Sequence, residues 1–336
     1  MSISRRAVIQ GLAALGTIPV LGSMSSGVAA QQPATVRLDY AYYNPSSLAL
    51  RRFAWLEEAL QEQGVGVEWV LSAGSNKANE YLRSEAVDFG STAGAAALLA
   101  RANGSPIKTV YIYSKPEWTA LVVAADSPIT SVAELKGKKV AATKGTDPYF
   151  FLLRSLNEAG LTGADVEVIN LQHADGRTAL ERGEVDAWAG LDPHMAASEL
   201  EAGSKLLYRN IDFNTYGFLN ANEEFVTQFP DLTATVLEAY ERARAWILEN
   251  PDDAAQILAE EAKISTEVAE RELFERTVLD IDPVPGETHA EVLRAVIPIL
   301  VAENQVKPGT DVEAVLGELL APETATKVVA AEEPAA

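Results

Sequence analysis

Two short turns in the middle of the chain have the residue types and spacing of a binding site for an anion. In each turn an apolar strand, Val140–Ala142 or Ala187–Ala189, leads through small residues to an Asp-Pro pair that opens a helix. The first backbone N–H groups of a helix have no partner inside the helix, and they lie at the positive end of its dipole. At the end of a strand these groups point into a crevice. The two turns therefore predict a crevice that favours an anionic ligand.

The sequence shows no signature of catalysis or of a cofactor site. The chain has no cysteine, and its histidines, His173, His194 and His289, are too far apart in sequence to form a recognisable metal motif. It also lacks a GxSxG nucleophile turn, a Walker loop and a GxGxxG after a strand. We therefore expect no catalytic residue, no metal and no cofactor, and a binding role rather than an enzyme.

Composition and charge exclude some classes of partner. A chain of 336 residues, 48% hydrophobic and 22% charged, is globular and large enough for two domains. The formal net charge of -21 argues against nucleic acid and anionic lipid, because both require basic surfaces. Most of the negative charge follows Asn220, where it is typical of a solvated helical surface. We therefore expect neither nucleic acid nor a membrane surface as a partner.

The first thirty residues have the pattern of an export signal. The segment Ser4-Arg5-Arg6-Ala7-Val8-Ile9 is similar to a twin-arginine motif, and the apolar stretch Ala13–Leu21 follows it. That stretch is too short for a spanning helix, which needs about 20 apolar residues. We therefore predict that residues 1–30 are a twin-arginine-type signal cleaved near Ala30, and that the mature protein is periplasmic.

The elements that must position the turns alternate between strands and helices. Apolar or alternating segments predict strands at Val36–Tyr42, Val67–Leu71, Ile107–Tyr113, Thr119–Ala125, Asp165–Asn170 and Lys205–Tyr208. Small-residue turns and helix start signals follow several of these strands, as at Asn44-Pro45 and Gly74-Ser75. Strands that alternate with helices of about 10–15 residues are typical of a mainly parallel, doubly wound α/β sheet.

The chain is predicted to form two α/β lobes with a crevice between them. Lobe 1 is expected to be discontinuous, with residues 31–124 and 220–321, and lobe 2 to comprise residues 125–219. Extended crossings near Thr119–Ala125 and Thr215–Asn220 are the natural hinges, and the crevice is the default ligand site. From Asn222 the sequence is almost purely helical, and the acidic tail, residues 322–336, is predicted to be disordered.

Three blocks of the sequence carry a family resemblance. They are VAATKGTDPYFFLLRSLNEAGL, VEVINLQHADGRTALERGEVDAWAGLDPHMAASE and YGFLNANEEFV. These blocks resemble the solute-binding proteins of ABC importers for aliphatic sulfonates, a group that also includes binders of taurine, nitrate and thiamine precursors. The resemblance implies the type II periplasmic binding protein fold, a clamshell monomer that closes over its ligand. It also implies delivery of the ligand to a membrane permease and its ATPase.

The resemblance also implies which residues face the ligand. Those positions are Asn44, Pro45, Ser46, Gly74, Ser75, Ser91, Thr92, Gly145, Thr146 and Asp192, with Trp188 nearby. Hydroxyls and helix-start N–H groups would give neutral donors to the three oxygens of a sulfonate. Aromatic residues that could form the walls of the pocket are Trp118, Trp188, Tyr42, Tyr43 and Tyr149, and we expect about half of them to line it.

Departures from the family's pattern leave the ligand open. Leu191 stands where the family often has an aromatic residue, and His194 stands where it often has tyrosine. Asp147 and Asp192 could cap helices, point outward, or together receive the ammonium group of a zwitterion such as taurine. An aliphatic sulfonate is the expected ligand, with taurine, nitrate, an aromatic sulfonate or a pyrimidine precursor as alternatives. A ligand-presenting sensor would use the same site, whereas the related thiamine-pyrimidine synthase has a cysteine-rich motif that this chain lacks.

Overall fold

The computed structural model describes residues 32–332, so the predicted export signal lies outside the described residues. The strands are β1 (Thr35–Tyr40), β2 (Gly66–Leu71), β3 (Phe89–Ala93), β4 (Ile107–Pro116), β5 (Leu121–Val123), β6 (Lys139–Ala142), β7 (Glu167–Asn170), β8 (Ala187–Ala189), β9 (Lys205–Tyr208), β10 (Gly217–Asn222) and β11 (Thr277–Val278). The helices are α1 (Pro45–Phe53), α2 (Trp55–Gln61), α3 (Ser75–Arg83), α4 (Gly94–Ala102), α5 (Asp147–Glu158), α6 (His173–Glu181), α7 (His194–Ala202), α8 (Glu223–Gln228), α9 (Pro230–Glu249), α10 (Pro251–Ala262), α11 (Thr266–Glu270), α12 (Glu287–Arg294), α13 (Ile297–Ala302), α14 (Val312–Leu319) and α15 (Glu323–Glu332).

The strands form two sheets, which confirms the predicted α/β class, but neither sheet is mainly parallel, contrary to the expectation. The first sheet has the order β11-β4-β10-β3-β1-β2, in which β1 is parallel to β2 and β3, and β10 is antiparallel to β3 and β4. The second has the order β7-β6-β8-β5-β9, in which β6 is parallel to β7 and β8, and β5 is antiparallel to β8 and β9. In each sheet, parallel neighbouring strands therefore end at the same edge.

Local sequence explains why helices follow these strand ends. Asn44 precedes α1, and its side chain accepts a hydrogen bond from the backbone N–H of Ser47 at 3.2 Å. Pro45 at the first helical position fits because it lacks an N–H that would need a partner. The helix predicted to open at Asp147-Pro148 is present as α5, with Thr146 before it in an extended conformation. After β8, the second Asp-Pro pair is followed by α7.

The two segments that connect the sheets begin a few residues earlier in the sequence than the predicted crossings. Strand β5 pairs with β8 and β9, so it belongs to the second sheet although residues 121–123 were assigned to lobe 1. Strand β10 begins at Gly217 in the first sheet, although residues 217–219 were assigned to lobe 2. The chain therefore passes between the sheets at residues 117–120 and 209–216. An apolar segment predicts a strand, but the sheet it joins depends on distant partners that the local pattern does not contain.

The end of the chain corrects a second expectation. Residues 322–336 were predicted to be disordered, but Glu323–Glu332 form α15, which packs against α9. Ala325 and Val328 are buried in that contact. Their spacing of three residues places both on one helical face, and burial of this face outweighs the polar composition of the segment.

Among residues 32–332, no helix combines the length and apolarity that crossing a membrane requires.

Candidate functional site

A cavity of about 170 Å³ lies where the two sheets face each other. Its first wall is formed by residues 42–43, which follow β1, and by residues 71–73, which begin at the last residue of β2. Its second wall is formed by residues 172–174 and 191–194, which follow β7 and β8. Ligands of open α/β sheets bind outside the carboxyl ends of the strands, and this cavity is at such ends in both sheets. We therefore treat it as the candidate site.

Buried polar atoms that lack partners concentrate around this cavity. Within the described part of the chain, the lining atoms Gln172 Oε1 and His173 Nε2 are buried and accept or donate no hydrogen bond, whereas the buried Ser72 hydroxyl, also on the lining, lies beside the Asp39 carboxylate and lowers the pKa of that group. Ser46 Oγ and Asn76 Oδ1, in the first turns of α1 and α3, are likewise buried without a hydrogen bond in that part of the chain. A buried polar group without a partner costs roughly 1–3 kcal/mol. A bound ligand with complementary groups would remove that cost.

The two histidines of the second wall are neutral at neutral pH. Burial lowers the pKa of His173 to about 3, and His194 adds to this effect. Burial also lowers the pKa of His194 to about 4, and Arg177 contributes through charge repulsion. Protonating either imidazole would place a charge in a desolvated site. Both histidines therefore face the cavity as neutral hydrogen-bonding groups.

Asn44 and Ser91, two of the predicted ligand residues, are held in an internal network. The Asn44 Nδ2 group donates to Ser91 Oγ at 2.7 Å, and Ser91 donates from both its backbone N and its Oγ to Asp39 Oδ1, each at 2.8 Å. Burial raises the pKa of Asp39 to about 7. Because their polar groups are already engaged, Asn44 and Ser91 serve to position the start of α1 on β3. Pro45 sits in the same turn, and the Ser46 hydroxyl next to it has no partner among residues 32–332.

Ser75 and Thr92 are also engaged within the first sheet's side of the site. Ser75 Oγ accepts a hydrogen bond from the backbone N of Ala93 at 2.9 Å. Thr92 Oγ1 donates to the carbonyl of Ala93 at 2.9 Å and accepts from Asn220 Nδ2 at 2.8 Å. These bonds fix the turn before α3 against the end of β3. The Thr92 hydroxyl is thus engaged both as donor and as acceptor, whereas the Ser75 hydroxyl only accepts and keeps its own hydrogen for a further acceptor.

Gly74 and Gly145 lie where the two sides of the site approach each other. A Cβ on Gly74 would be 2.8 Å from His173 Nε2, so no larger residue fits there without a shift. Gly145 has the left-handed φ of 80°, and a Cβ there would be 3.8 Å from the Cβ of Asn76. Gly145 and Asn76 line an adjoining cavity of about 330 Å³. Contact of Gly74 and Gly145 with the ligand stays a prediction.

Thr146, Asp147 and Trp118 form a brace between α5 and the connections, rather than a set of ligand contacts. Thr146 Oγ1 donates to the carbonyl of Thr143 at 2.6 Å and does not cap the helix. Asp147 Oδ2 accepts from Trp118 Nε1 at 3.1 Å and from the backbone N of Thr215 at 2.8 Å. Burial raises the pKa of Asp147 to about 6. Trp118 packs edge to face against Tyr43, which lines the cavity, with ring centroids 6.0 Å apart.

Asp192 lines the cavity, but its charge is already paired. It accepts from the backbone N of Ala196 in α7 at 2.8 Å and from Arg276 Nη1 at 3.1 Å. Burial raises the pKa of Asp192 to about 6, and the charge of Arg276 opposes that rise. Arg276 also bonds to Glu199. Asp192 and Asp147 are thus both engaged with protein partners, which disfavours the alternative that they jointly receive a ligand's ammonium group.

Trp188 is a core residue, which corrects its expected place near the ligand. Its side chain is 1% exposed and packs among Val122, Ala141 and Leu180 in the second sheet. A Cβ added at Gly176 would be 2.6 Å from Trp188 Nε1, so α6 covers the indole directly. Strand β8 places Trp188 on the side of the sheet that α6 covers. The sequence pattern located the strand but could not show which face each residue takes.

Sequence reasoning missed several lining residues, among them Ser72, Gln172 and His173. Ser72 follows β2 directly, so its place at a strand end was a usable signal. Gln172 and His173 follow β7 and open α6 without an Asp-Pro pair. No metal motif was predicted for His173, and a structural or surface role was favoured for it, so its place on the cavity wall was not anticipated. Tyr42 and Tyr43, two of the candidate wall residues, do line the cavity.

Comparisons with known proteins support a binding site of this kind. The family model described as NMT1/THI5 like matches residues 60–254. A protein of Escherichia coli (strain K12) named as an aliphatic sulfonates-binding protein is 30% identical over 302 residues, which cover 89% of this chain and 91% of that protein.

Solved structures with the same fold agree with this result. The alkanesulfonate-binding protein SsuA from Xanthomonas axonopodis pv. citri, bound to MOPS, aligns with a TM-score of 0.77 and 24% identity over 85% of this chain and 99% of its own. The periplasmic aliphatic sulphonate binding protein SsuA from Escherichia coli aligns with a TM-score of 0.72 and 26% identity, over 87% and 93%.

Proposed function

Because the chain belongs to the NMT1/THI5-like family, we propose that it is a solute-binding protein of an ABC importer that captures a small aliphatic sulfonate. The predicted resemblance to the sulfonate- and nitrate-binding group and the predicted periplasmic binding protein fold are both confirmed. The relatives are named as binding proteins, which supports a binding role without chemical conversion of the ligand. The ligand, the transporter and the periplasmic location of this chain are parts of the proposal.

The observation that carries the proposal is an apolar cavity between two sheets with buried hydroxyls at the strand ends and helix start of its first wall. Ser46 and Ser72 can each donate one hydrogen bond, and a sulfonate offers three acceptor oxygens. The aromatic rings of Tyr42 and Tyr43 and the side chain of Leu191 provide apolar surface for a short alkyl chain. A cavity of about 170 Å³ suits a ligand of few heavy atoms rather than a drug-sized one, which needs roughly 300–1,000 Å³.

Neutral donors also suit a protein that must release its ligand. The carboxylate on the cavity wall, Asp192, is paired with Arg276, so neither group is free to hold an anion as an ion pair. Hydroxyls and helix-start N–H groups stabilise an anion more weakly than a buried cation would, by about 0.3–1 kcal/mol for a helix dipole. We therefore propose moderate affinity and reversible capture.

Hinge closure is the proposed mechanism. A ligand in the cavity contacts residues that follow strands of both sheets, so it stabilises the arrangement in which these strand ends are close. The chain passes between the sheets at residues 117–120 and 209–216, and these segments are the proposed hinges. In this proposal the protein is exported by the twin-arginine signal, acts as a periplasmic monomer, and passes its ligand to a permease in the closed form.

A thermal-shift and calorimetry panel on the chain without residues 1–30 tests the proposal. The panel contains ethanesulfonate, butanesulfonate, nitrate, sulfate and an aminopyrimidine. A sulfonate present at a hundred times its Kd should stabilise the protein by about 2.7 kcal/mol and raise its Tm. The proposed ligand class is wrong if nitrate or the pyrimidine raises the Tm and no sulfonate does.

A matched pair of variants links that binding to the cavity. Replacing Ser72 by Ala removes a buried hydroxyl from the wall and should weaken sulfonate binding by about tenfold, because a hydrogen bond to a charged group contributes roughly 1.5–3 kcal/mol. Ser84→Ala at the exposed end of α3 is the control and should leave the Kd unchanged. Equal affinities for both variants would remove Ser72 from the site.

A further inference from the structure

A carboxyl group without a cationic partner is buried directly behind the first wall of the cavity. Asp39, in β1, is 0% exposed, and its Oδ1 atom accepts hydrogen bonds from the backbone N and the Oγ of Ser91, each at 2.8 Å. Its Oδ2 atom is buried and accepts no well-formed hydrogen bond among residues 32–332. Within that range burial raises the pKa of Asp39, and hydrogen bonds from Ser72 and Ser91 lower it, with no charged side chain contributing. A negative charge on Asp39 is therefore uncompensated.

Ser72 lies between this carboxyl group and the cavity. In the register of the two parallel strands Asp39 is opposite Val70, and Ser72 follows Val70 by two residues, so it faces the same side of the sheet. The backbone N of Ser72 donates to the carbonyl of Tyr40 at 2.9 Å, which holds Ser72 next to β1. Its hydroxyl is buried beside the Asp39 carboxyl group, and Ser72 lines the cavity. Ser72 thus links Asp39 to the ligand site.

The other ionisable groups around Asp39 are phenols. Tyr43, Tyr113 and Tyr240 face it from the turn after β1, from β4 and from α9. Burial raises the pKa of each phenol above its ordinary value, and the negative charge of Asp39 adds to the rise. All three are therefore neutral at neutral pH. Burial raises the pKa of Asp39 itself to about 7, so Asp39 is the member of this group that titrates near neutrality.

The protonation state of Asp39 decides what Ser72 offers to a ligand. A serine hydroxyl has one hydrogen, and an ionised carboxylate can only accept. When Asp39 is ionised, its Oδ2 atom takes the Ser72 hydrogen, and only lone pairs of Ser72 Oγ face the cavity. When Asp39 is protonated, Oδ1 still accepts from Ser91, so the proton is on Oδ2 and is donated to Ser72 Oγ. The Ser72 hydrogen is then free to bind an oxygen of a sulfonate.

Charge favours the same state. An anion in the cavity adds a second negative charge near Asp39, and a nearby like charge disfavours the ionised form of a carboxyl group. A sulfonate is the anion of a strong acid and stays ionised, so the proton goes to the protein. The other carboxylate of the cavity wall, Asp192, already has the charge of Arg276 beside it. His173 and His194 are kept neutral by burial, which lowers the pKa of each to about 3 and about 4.

We propose that the protein captures its anion together with one proton from the solvent, which Asp39 Oδ2 holds and which frees the Ser72 hydroxyl to donate to the ligand. This inference rests on the proposed sulfonate-binding function and adds a proton to it as a second bound species. Because coupling between two ligands is reciprocal, bound sulfonate raises the proton affinity of Asp39, and a rise in pH weakens sulfonate binding. Asp39 thereby acts as a specificity-determining residue behind the wall.

Calorimetry on the wild-type chain without residues 1–30 measures the proton directly. Ethanesulfonate and butanesulfonate are titrated at pH 7.5 in Tris and in bicine, two buffers that contain no sulfonate and differ in ionisation enthalpy. The difference in apparent binding enthalpy gives the number of protons taken up. Since the pKa of Asp39 is about 7 in the free protein and higher in the complex, we expect uptake of about half a proton or more for each sulfonate bound.

The pH dependence of the Kd gives a second measure, with a variant that keeps the shape of the protonated group. Between pH 6 and pH 8.5 the Kd of wild type should rise by about tenfold. In Asp39→Asn the amide can accept from Ser91 and donate to Ser72 as the protonated carboxyl does, so the Kd should stay within about twofold over this range, without proton uptake. Asp126→Asn, at an exposed position, is the control and should behave as wild type.

The outcomes separate this inference from the function on which it rests. Failure of both sulfonates to bind at pH 6 and at pH 8.5 overturns the proposed function. Sulfonate binding with no proton uptake and a constant Kd leaves that function intact and overturns the coupled proton. Proton uptake that persists in folded Asp39→Asn excludes Asp39 as the group that holds the proton.

Carbon NMR of the Asp39 carboxyl group provides a readout that needs no variant. The resonance is assigned through the backbone of the wild-type protein and followed as the pH changes. Its midpoint should lie at about 7 in the free protein and about one pH unit or more higher with butanesulfonate or ethanesulfonate bound. An Asp39 carboxyl group with the same midpoint in the free protein and in the sulfonate complex would overturn the proposal.

Discussion

The turns at Asp147 and Asp192 share one sequence pattern, yet the structure uses their carboxylates in different ways. Asp147 bonds to Trp118 and Thr215, which lie on the two connections between the sheets. Asp192 lines the cavity and forms a buried ion pair with Arg276. An Asp-Pro pair after a strand thus predicts where a helix begins, but not the partner that the carboxylate finds. One turn braces the connections, and the other forms a wall of the site.

The largest difference between the turns should appear when Arg276 is replaced by Met. This change leaves Asp192 buried without its cation, and loss of one member of a buried pair costs about 3–5 kcal/mol. Urea unfolding measures the loss. Arg209→Met is the matched control, because Arg209 is half exposed in its pair with Glu117 and should cost at most about 1 kcal/mol. Similar losses in both variants would show that Asp192 does not depend on Arg276.

Replacing Asp147 by Ala should have the next largest effect. It leaves the backbone N–H of Thr215 and the indole N–H of Trp118 without acceptors, at about 2–3 kcal/mol in the free energy of unfolding. Because the lost bonds join α5 to both connections, the Kd for a sulfonate should change as well. Stability and affinity are measured by urea unfolding and calorimetry. Unchanged values for both would contradict the brace.

The pH dependence of the free energy of unfolding should differ between the wild-type protein and the Asp147→Asn variant, whose side chain is neutral. Burial raises the pKa of Asp147 to about 6, above its ordinary value of 3.8, so the folded state binds this proton more tightly than the unfolded state. The contribution of this proton to the free energy of unfolding is complete below about pH 4, and it is lost as the pH rises through about 6. Between pH 5 and pH 7, wild type should lose about 1 kcal/mol relative to Asp147→Asn. Urea unfolding at both pH values checks this, and a constant difference would refute it.

The smallest expected effect concerns the glycine that precedes the brace. Gly145→Ala forces a Cβ onto a left-handed backbone of φ 80° and should destabilise by about 1 kcal/mol. Gly317→Ala in α14 has open space and no positive φ, so it should stabilise by about 0.5–1 kcal/mol. Thermal unfolding of the two variants gives the sign of each change. The same sign in both would show that the turn at Gly145 is not strained by a side chain.

Much of the fold could be predicted because its signals are local. The alternation of apolar strands with capped helices indicated both sheets, and Asn44-Pro45 and Asp147-Pro148 marked true helix starts. The partners of those residues are distant in sequence. Asp192 pairs with Arg276, and Asp147 pairs with Thr215, at separations that no helical or strand period encodes.

The position of the ligand site at the strand-end turns stays a prediction, and the structure shows what some of the predicted residues already contact. Asn44, Ser91 and Thr92 bond within the protein, and Trp188 lies in the core. Small hydroxyl residues can satisfy either a neighbour or a ligand, and only the three-dimensional arrangement decides which. Ser72 follows a strand directly, which is a usable signal, whereas nothing in the local sequence of His173 separates it from an ordinary residue at the start of a helix.

A crystal structure with 2-aminoethanesulfonate or ethanesulfonate bound would test the central claim most directly. We predict that the sulfonate lies between the two sheets, with its oxygens within hydrogen-bonding distance of Ser46 Oγ or Ser72 Oγ, and that residues 42–43 and 191–194 enclose the rest of the ligand. A sulfonate bound elsewhere, or a ligand that contacts only one of the two sheets, would contradict both the site and closure by the hinge.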